Sequence, residues 1–230
     1  MSSPVPPVAL VPAPERGVWR LGKGSAPLRY NQIEPETING SAAGRFSLFT
    51  YGTLYCASDL AGCFAEALAG FRVDPQMRSL MSGDEEVPGP QPMRLGHLAS
   101  SWRQERILVR LMPAAEARFL DVDAEETREV LADELKGDLS EWDVQPPLED
   151  HHIHGPDRRI ARQIAAWSVA QRNSAGHQLI QGIAYRSGYG GRRCWAILST
   201  TELTEAERRP VLAESVELQE VAREYGLTVW

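Results

Sequence analysis

Gly182-Ile-Ala-Tyr-Arg-Ser187-Gly-Tyr-Gly-Gly-Arg-Arg-Cys-Trp-Ala-Ile-Leu198 places an apolar run, a glycine-rich turn and a second apolar run in direct succession. The spacing predicts two strands, Gln178 to Ala184 and Cys194 to Leu198, joined by the turn. Successive glycines let backbone N–H groups converge, so the turn can offer them to an anion together with the Ser187 hydroxyl. Arg186, Arg192 and Arg193 stand nearby.

Working toward the N-terminus, Asp157 to Gln171 reads as a helix. Its Ile160, Ile164 and Trp167 fall at i, i+4 and i+7, with Ala161 and Ala165 alongside. Ala124 to Leu135 reads as a charged amphipathic helix, and Arg106 to Leu111 and Arg118 to Val122 as strands. Arg72 to Gly96, with its prolines, glycines and the acidic run Asp84-Glu85-Glu86, reads as an irregular insertion. Thr53 to Ala57 reads as a short strand, followed by a helix capped by Ser58, with an apolar stripe at Leu60, Cys63, Phe64, Ala67 and Leu68. Gly22 to Gly52 is predicted as a long loop, and a loop of that length in a compact domain is usually functional. Gly17 to Leu21 opens a strand, the proline-rich residues 1–16 are expected to form a flexible tail, and a last helix is expected to end near Gly226. Strands and helices interleave without a βαβ rhythm, which favours an α+β fold. The expected organisation is one domain over residues 17–230.

Composition excludes several function classes. Lys and Arg number 24 against 31 Asp and Glu, a net charge of −7 in 230 residues. Such a chain is poorly suited to tracking a phosphate backbone, so no direct nucleic-acid binding is expected. No apolar run approaches the ~20 residues that span a bilayer. Three cysteines, Cys56, Cys63 and Cys194, without paired spacing argue against a disulfide framework, and a cytoplasmic location is expected.

Two clusters can carry chemistry. Gly44-Arg45-Phe46 ends the long loop, where a glycine allows close approach of backbone to a ligand. In the strand that follows, alternation puts Leu54 and Cys56 toward the core and Tyr55 toward a cleft. Glu66 lies off the apolar stripe of the next helix. The second cluster is the Tyr185-Arg186-Ser187 end of the strand described first. Taken singly these residues have ordinary readings: a solvated carboxylate, a half-buried strand aromatic, a surface ion pair and a turn former. Their order and spacing together favour a site. His151-His152-Ile-His154 beside Glu149 and Asp150 lacks metal-ligand spacing and reads as a polar loop, so no metal site is expected.

The same residues carry a family resemblance. Gly44-Arg45-Phe46, Leu54-Tyr55-Cys56-Ala57-Ser58, Glu66 and Gly182-Ile183-Ala184-Tyr185-Arg186-Ser187 resemble, in order, the motifs of the RES domain, over roughly residues 17 to 200. The family often follows its Gly-Arg-Trp/Phe with Asn-Pro and a glycine, where this chain has Ser47-Leu48-Phe49. The resemblance implies a fold similar to ADP-ribosyltransferases, a mixed β-sheet core flanked by helices. It implies an enzyme that consumes NAD⁺ as substrate, without a cofactor, by cleaving the nicotinamide–ribose bond through hydrolysis or phosphorolysis. It further implies the toxin of a bacterial toxin–antitoxin pair, with an Xre-type antitoxin as partner. In that setting Glu66 stabilises the oxocarbenium-like transition state, Arg45 holds the pyrophosphate, Tyr55 stacks on nicotinamide and Ser187 binds a ribose hydroxyl or a phosphate. Arg20 is a second candidate phosphate ligand. Two other readings remain open: transfer of ADP-ribose to a protein, and a catalytically silent binding module on the same scaffold.

Overall fold

The computed structural model describes residues 7–34, 44–78 and 96–230. In chain order the elements are β1 (Leu10–Pro12), β2 (Val18–Lys23), β3 (Thr53–Ala57), α1 (Leu60–Leu68) with a 3₁₀ turn at Ala69–Phe71, α2 (Pro75–Arg78), β4 (His97–Leu98), α3 (Ser100–Gln104), β5 (Arg106–Pro113), β6 (Arg118–Asp121), α4 (Glu125–Glu134), α5 (Lys136–Glu141), α6 (Asp150–His154), α7 (Arg159–Ala170), β7 (Gly182–Arg186), β8 (Arg193–Leu198), β9 (Leu203–Pro210), α8 (Val216–Tyr225) and β10 (Thr228–Val229). Eight strands form one sheet in the order β1-β6-β7-β8-β3-β2-β5-β9. β6 and β7 run parallel and the other neighbours antiparallel, so the sheet is mixed, as an α+β chain requires.

The sheet's two faces are packed differently, and the period-2 alternation of the strands decides which residues go where. Leu54 and Cys56 of β3, Ala184 of β7 and Trp195 and Ile197 of β8 join one cluster with Val18, Val109, Leu111 and Phe119. Among the described residues no helix contributes to that cluster; Leu28, Tyr30, Val11 and Ala13 cover it instead. Ala57, Ile183, Tyr185, Cys194 and Ala196 face the other way, into a core shared with α1, α4, α5, α7 and α8. Along α7 the buried residues Ile160, Ala161, Ile164, Ala165 and Trp167 form the stripe that periodicity predicts. β7 and β8 approach so closely that a Cβ at Gly182 would lie 2.4 Å from the carbonyl oxygen of Ala196.

Several sequence expectations need correction. Asp59, not Ser58, caps α1: its carboxylate accepts the Gly62 N–H at 2.6 Å. The Ser58 hydroxyl instead accepts the indole N–H of Trp195 at 2.9 Å. The tail expected to be flexible contains β1, which pairs with β6 through Leu10 and Leu120 and occupies an otherwise open edge; residues 1–6 lie outside the described residues. Of the irregular insertion near 72–96, Pro75–Arg78 is helical and residues 79–95 lie outside the described residues. β9 carries almost no apolar pattern, yet it pairs with β5 along its length and closes the opposite edge. Its charges are held by ion pairs between Arg208 and Glu205 and between Arg209 and Glu207, a composition that suits an edge strand. α8 ends as expected, with Gly226 in the left-handed region at φ 68°. Among the described residues no helix is long and apolar enough to cross a membrane.

Leu54 is fully buried at the centre of the sheet. Leu54→Ala is expected to lower unfolding free energy by about 2–5 kcal/mol in urea titration, whereas Val216→Ala, at a position 76% exposed, is expected to change it by less than about 0.5 kcal/mol.

Candidate active site

On the helix-bearing side of the sheet a cavity of about 590 Å³ opens between β3, α1, the end of α6 and the β7–β8 turn. Arg20, Arg45, Tyr55 and Glu66 all line it. Side chains from distant parts of the chain meet there because β3 and β7 both pair with β8, which brings Tyr55 and Tyr185 to the same face.

Tyr55 braces the segment that carries Arg45. Its hydroxyl accepts the Phe46 backbone N–H at 2.8 Å and lies 3.1 Å from the Ser47 hydroxyl. Burial pushes the Tyr55 phenol up to about 12, so it stays protonated and can also donate. Its ring passes so near Gly44 that a Cβ there would come within 2.3 Å of the phenol atoms. That contact is the physical reason for a glycine before Arg45. Phe46, itself buried, then packs on Tyr185 with ring centroids 5.2 Å apart.

Arg45 reaches across the cavity wall to α6. Its Nη1 donates to the carbonyls of Ile153 at 3.0 Å and Gly155 at 2.7 Å. Burial and then the charge of Arg158 lower its pKa, while Tyr185, Glu66 and Tyr55 act in the opposite direction. Nη2 and Nε are not used in these two bonds. Glu66 is exposed on α1 and faces the cavity; the Cys194 thiol approaches its Oε1 at 3.9 Å.

Two expected ligands are placed differently. Arg20 donates from Nε to Pro27 O at 2.7 Å, from Nη1 to Tyr55 O at 2.8 Å and from Nη2 to Arg29 O at 3.0 Å. Each of its three nitrogens thus fastens backbone, and the guanidinium acts first as a wall. Ser187 is not among the lining residues. Its hydroxyl accepts the Tyr189 N–H at 3.0 Å and shapes the turn, in which Gly190 and Gly191 take φ of 78° and 64°. Its neighbours Arg186, Gly188 and Tyr189 form the wall instead.

Sequence reasoning missed His154 and Arg158, which also line the cavity. The supposed polar loop is the short helix α6, opened by a reciprocal bond between Glu149 and His152. His154 ends α6 and Arg158 precedes α7 across a Gly-Pro corner, so no shared helical period pointed to them. His154 Nε2 meets Asp123 Oδ1 at 2.9 Å. Asp123, Asp150 and His154 bring ligand-type atoms within 4.8 Å of one another. Three guanidinium groups, of Arg128, Arg186 and Arg193, already lie 3.6–3.7 Å from the Asp123 carboxylate, and their charge opposes a divalent cation there. The cluster is an ion-pair network. Cys56 and Cys63 touch the cavity, but burial pushes the Cys56 thiol up to about 12 and raises Cys63 as well. Neither provides a thiolate. The cavity is therefore cationic, with Glu66 as the carboxylate on its wall, in a chain that is acidic as a whole.

Comparison with known proteins agrees with this architecture. No curated protein matches the chain in sequence. Among solved structures, the crystal structure of the M. tuberculosis MbcT–MbcA toxin–antitoxin complex is similar at a TM-score of 0.52, covering 96% of this chain and 92% of that one. At 12% sequence identity that likeness concerns the fold. The family model of the RES domain matches residues 17–219, and the chain belongs to the RES domain family.

Proposed function

We propose that the cavity binds NAD⁺ and cleaves its nicotinamide–ribose bond, and that the protein acts in the cytoplasm as the toxin of a toxin–antitoxin pair. The observation that carries this reading is that Arg45 and Glu66, separated by strand β3 in sequence, line one cavity. Its volume of about 590 Å³ is within the range of small-molecule and cofactor sites.

The chemistry follows from charge. As the bond from C1′ to the nicotinamide nitrogen lengthens, its electron pair leaves with nicotinamide and positive charge grows on the ribose. A carboxylate fixed beside the ribose stabilises that charge more than it stabilises bound NAD⁺. Glu66 supplies it. The substrate's pyrophosphate is anionic, and Arg45 meets it with the N–H groups not engaged on α6, forming charge-assisted hydrogen bonds. Arg158 adds positive charge beside Arg45. Arg20 and Ser187 contribute through the walls and the turn they hold. The antitoxin partner rests on membership of the RES family and on the fold's likeness to a toxin solved with its antitoxin.

The decisive measurement is nicotinamide release from NAD⁺ by the purified protein, with and without phosphate. Release is expected, and Glu66→Gln, which keeps shape but removes charge, is expected to reduce kcat on the order of 10²-fold or more. Absence of release under both conditions, or full activity in the variant, overturns the proposal. Tyr55→Phe separates two roles for that residue. Retaining the ring preserves stacking, but losing the hydroxyl strands the Phe46 N–H. The expected result is a stability loss of about 1–3 kcal/mol together with a higher KM for NAD⁺, because the segment bearing Arg45 loosens.

A further inference from the structure

The reaction described above assigns no role to His154, yet it is among the most firmly fixed side chains on the cavity wall. Its Nε2 lies 2.9 Å from Asp123 Oδ1, in a pair whose side chains are only 11% and 8% exposed. Asp123 Oδ2 accepts the Arg186 backbone N–H at 2.6 Å. The carbonyls of its neighbours Ile153 and Gly155 both accept from Arg45 Nη1. Ring and backbone are thus held separately, by contacts from β7, from the segment between β6 and α4, and from the Gly44–Phe46 segment. Tyr185 stands beside the imidazole with centroids 6.4 Å apart.

The pairing sets the tautomer. Burial alone would raise the Asp123 carboxyl, but hydrogen bonds from His154 and the Arg186 N–H, with the charges of His154 and Arg186, hold it below the ordinary carboxylate range. An ionised carboxylate only accepts, so the proton of the shared bond sits on Nε2. In the neutral ring Nδ1 then carries the lone pair. The charged and titratable groups facing this ring are Asp123, Asp150 at 4.0 Å, Arg128 between those two carboxylates, Arg186 and Tyr185 from β7, and Arg193 from β8.

We propose that His154, oriented by Asp123, is the proton acceptor for the water that attacks C1′ of the nicotinamide ribose. The inference rests on the NAD⁺-cleaving reading of the cavity and names its acceptor. The C1′–N bond breaks with its electron pair leaving on nicotinamide. The water oxygen forms the new bond to C1′, and its proton passes to Nδ1 and then to solvent. One NAD⁺ and one water thus yield nicotinamide, ADP-ribose and a proton. A base of this kind contributes typically 10²–10⁴-fold.

The test follows nicotinamide release by the full chain from about pH 5 to about pH 9, the span in which histidine can change charge. The expected wild-type profile rises with pH along an acid limb, since the base acts in its neutral form. His154→Gln is expected to abolish that limb and lower kcat on the order of 10²-fold while KM for NAD⁺ changes less than about threefold. Asp123→Asn, whose amide can donate to Nε2 and so select the wrong tautomer, is expected to lower kcat similarly. Added imidazole is expected to restore part of the activity of His154→Ala, a rescue that a misfolded variant would not give. A wild-type profile that falls as pH rises would make His154 a cationic binding group and overturn the proposal. So would a variant that keeps both kcat and the limb, or one that changes KM alone. If the wild-type chain releases no nicotinamide at any pH, the parent reading fails; if it releases nicotinamide independently of His154, only this inference fails.

Discussion

The site depends on one contact, the donation from Arg45 Nη1 to two carbonyls 108 and 110 residues further along the chain. It joins the Gly44–Phe46 segment, which has no regular secondary structure, to the last turn of a five-residue helix. Neither element would hold its position alone, since a helix that short has little intrinsic stability. Helix-terminal carbonyls lack intrahelical partners and attract a cation, so the bond also satisfies groups that α6 leaves open. The Tyr55 hydroxyl completes the brace from the sheet side by accepting the Phe46 N–H. Sheet, loop and helix are thereby locked around one hollow, whose shape is set before any ligand arrives.

Electrostatics then divides the arginines by task. Arg193 is matched bidentately with Asp121, and Arg192 with Glu224 and Glu220; these pairs hold the β7–β8 turn in place. Among the described residues Arg20 is paired with no carboxylate but fastened to three carbonyls, and burial lowers its pKa. Burial and then the charge of Arg158 lower the Arg45 pKa, a cost that an anion bound beside the two would relieve. An acidic chain can thus present a cationic pocket, because among the described residues Glu66 is the carboxylate that lines it beside several arginines.

What the sequence reveals follows from the kind of force that builds each element. β3, β7, β8 and α7 are driven by burial, and their periodicity marks them out. β9 is held by hydrogen bonds to β5 and by ion pairs within Leu203–Pro210, and neither leaves an apolar pattern. β1 is three residues long and ends in a proline; composition marks it as tail, and the edge of β6 makes it a strand. At the start of α1 both Ser58 and Asp59 are good caps, and the choice falls to Trp195, whose indole N–H claims Ser58. In the site, the motif spacing was enough to gather Arg45, Tyr55 and Glu66. The motif order could not reveal that Ser187 turns its hydroxyl to the Tyr189 N–H, or that Arg20 places a donor from each of its three nitrogens on backbone. His154 was invisible because its meaning lies in Asp123, 31 residues away on another element.

Arg20 shows how the face of the sheet opposite the helices is held closed. On the helix-free face, Leu28 and Tyr30 pack over Leu54, Cys56 and Val109, and a segment so poor in secondary structure would not stay there by apolar contact alone. The bonds from Arg20 to Pro27 and Arg29 draw that segment against β2, and the bond to Tyr55 O ties the same guanidinium to β3. The bridge between Asn31 and Thr53 continues the seam. With that face packed, the cavity opens beside β3, where α1 and the α6–α7 corner contribute Cys63, Glu66, His154 and Arg158 to its lining. The hollow is what remains when one face of a mixed sheet is sealed by a loop and the other is only partly covered by helices.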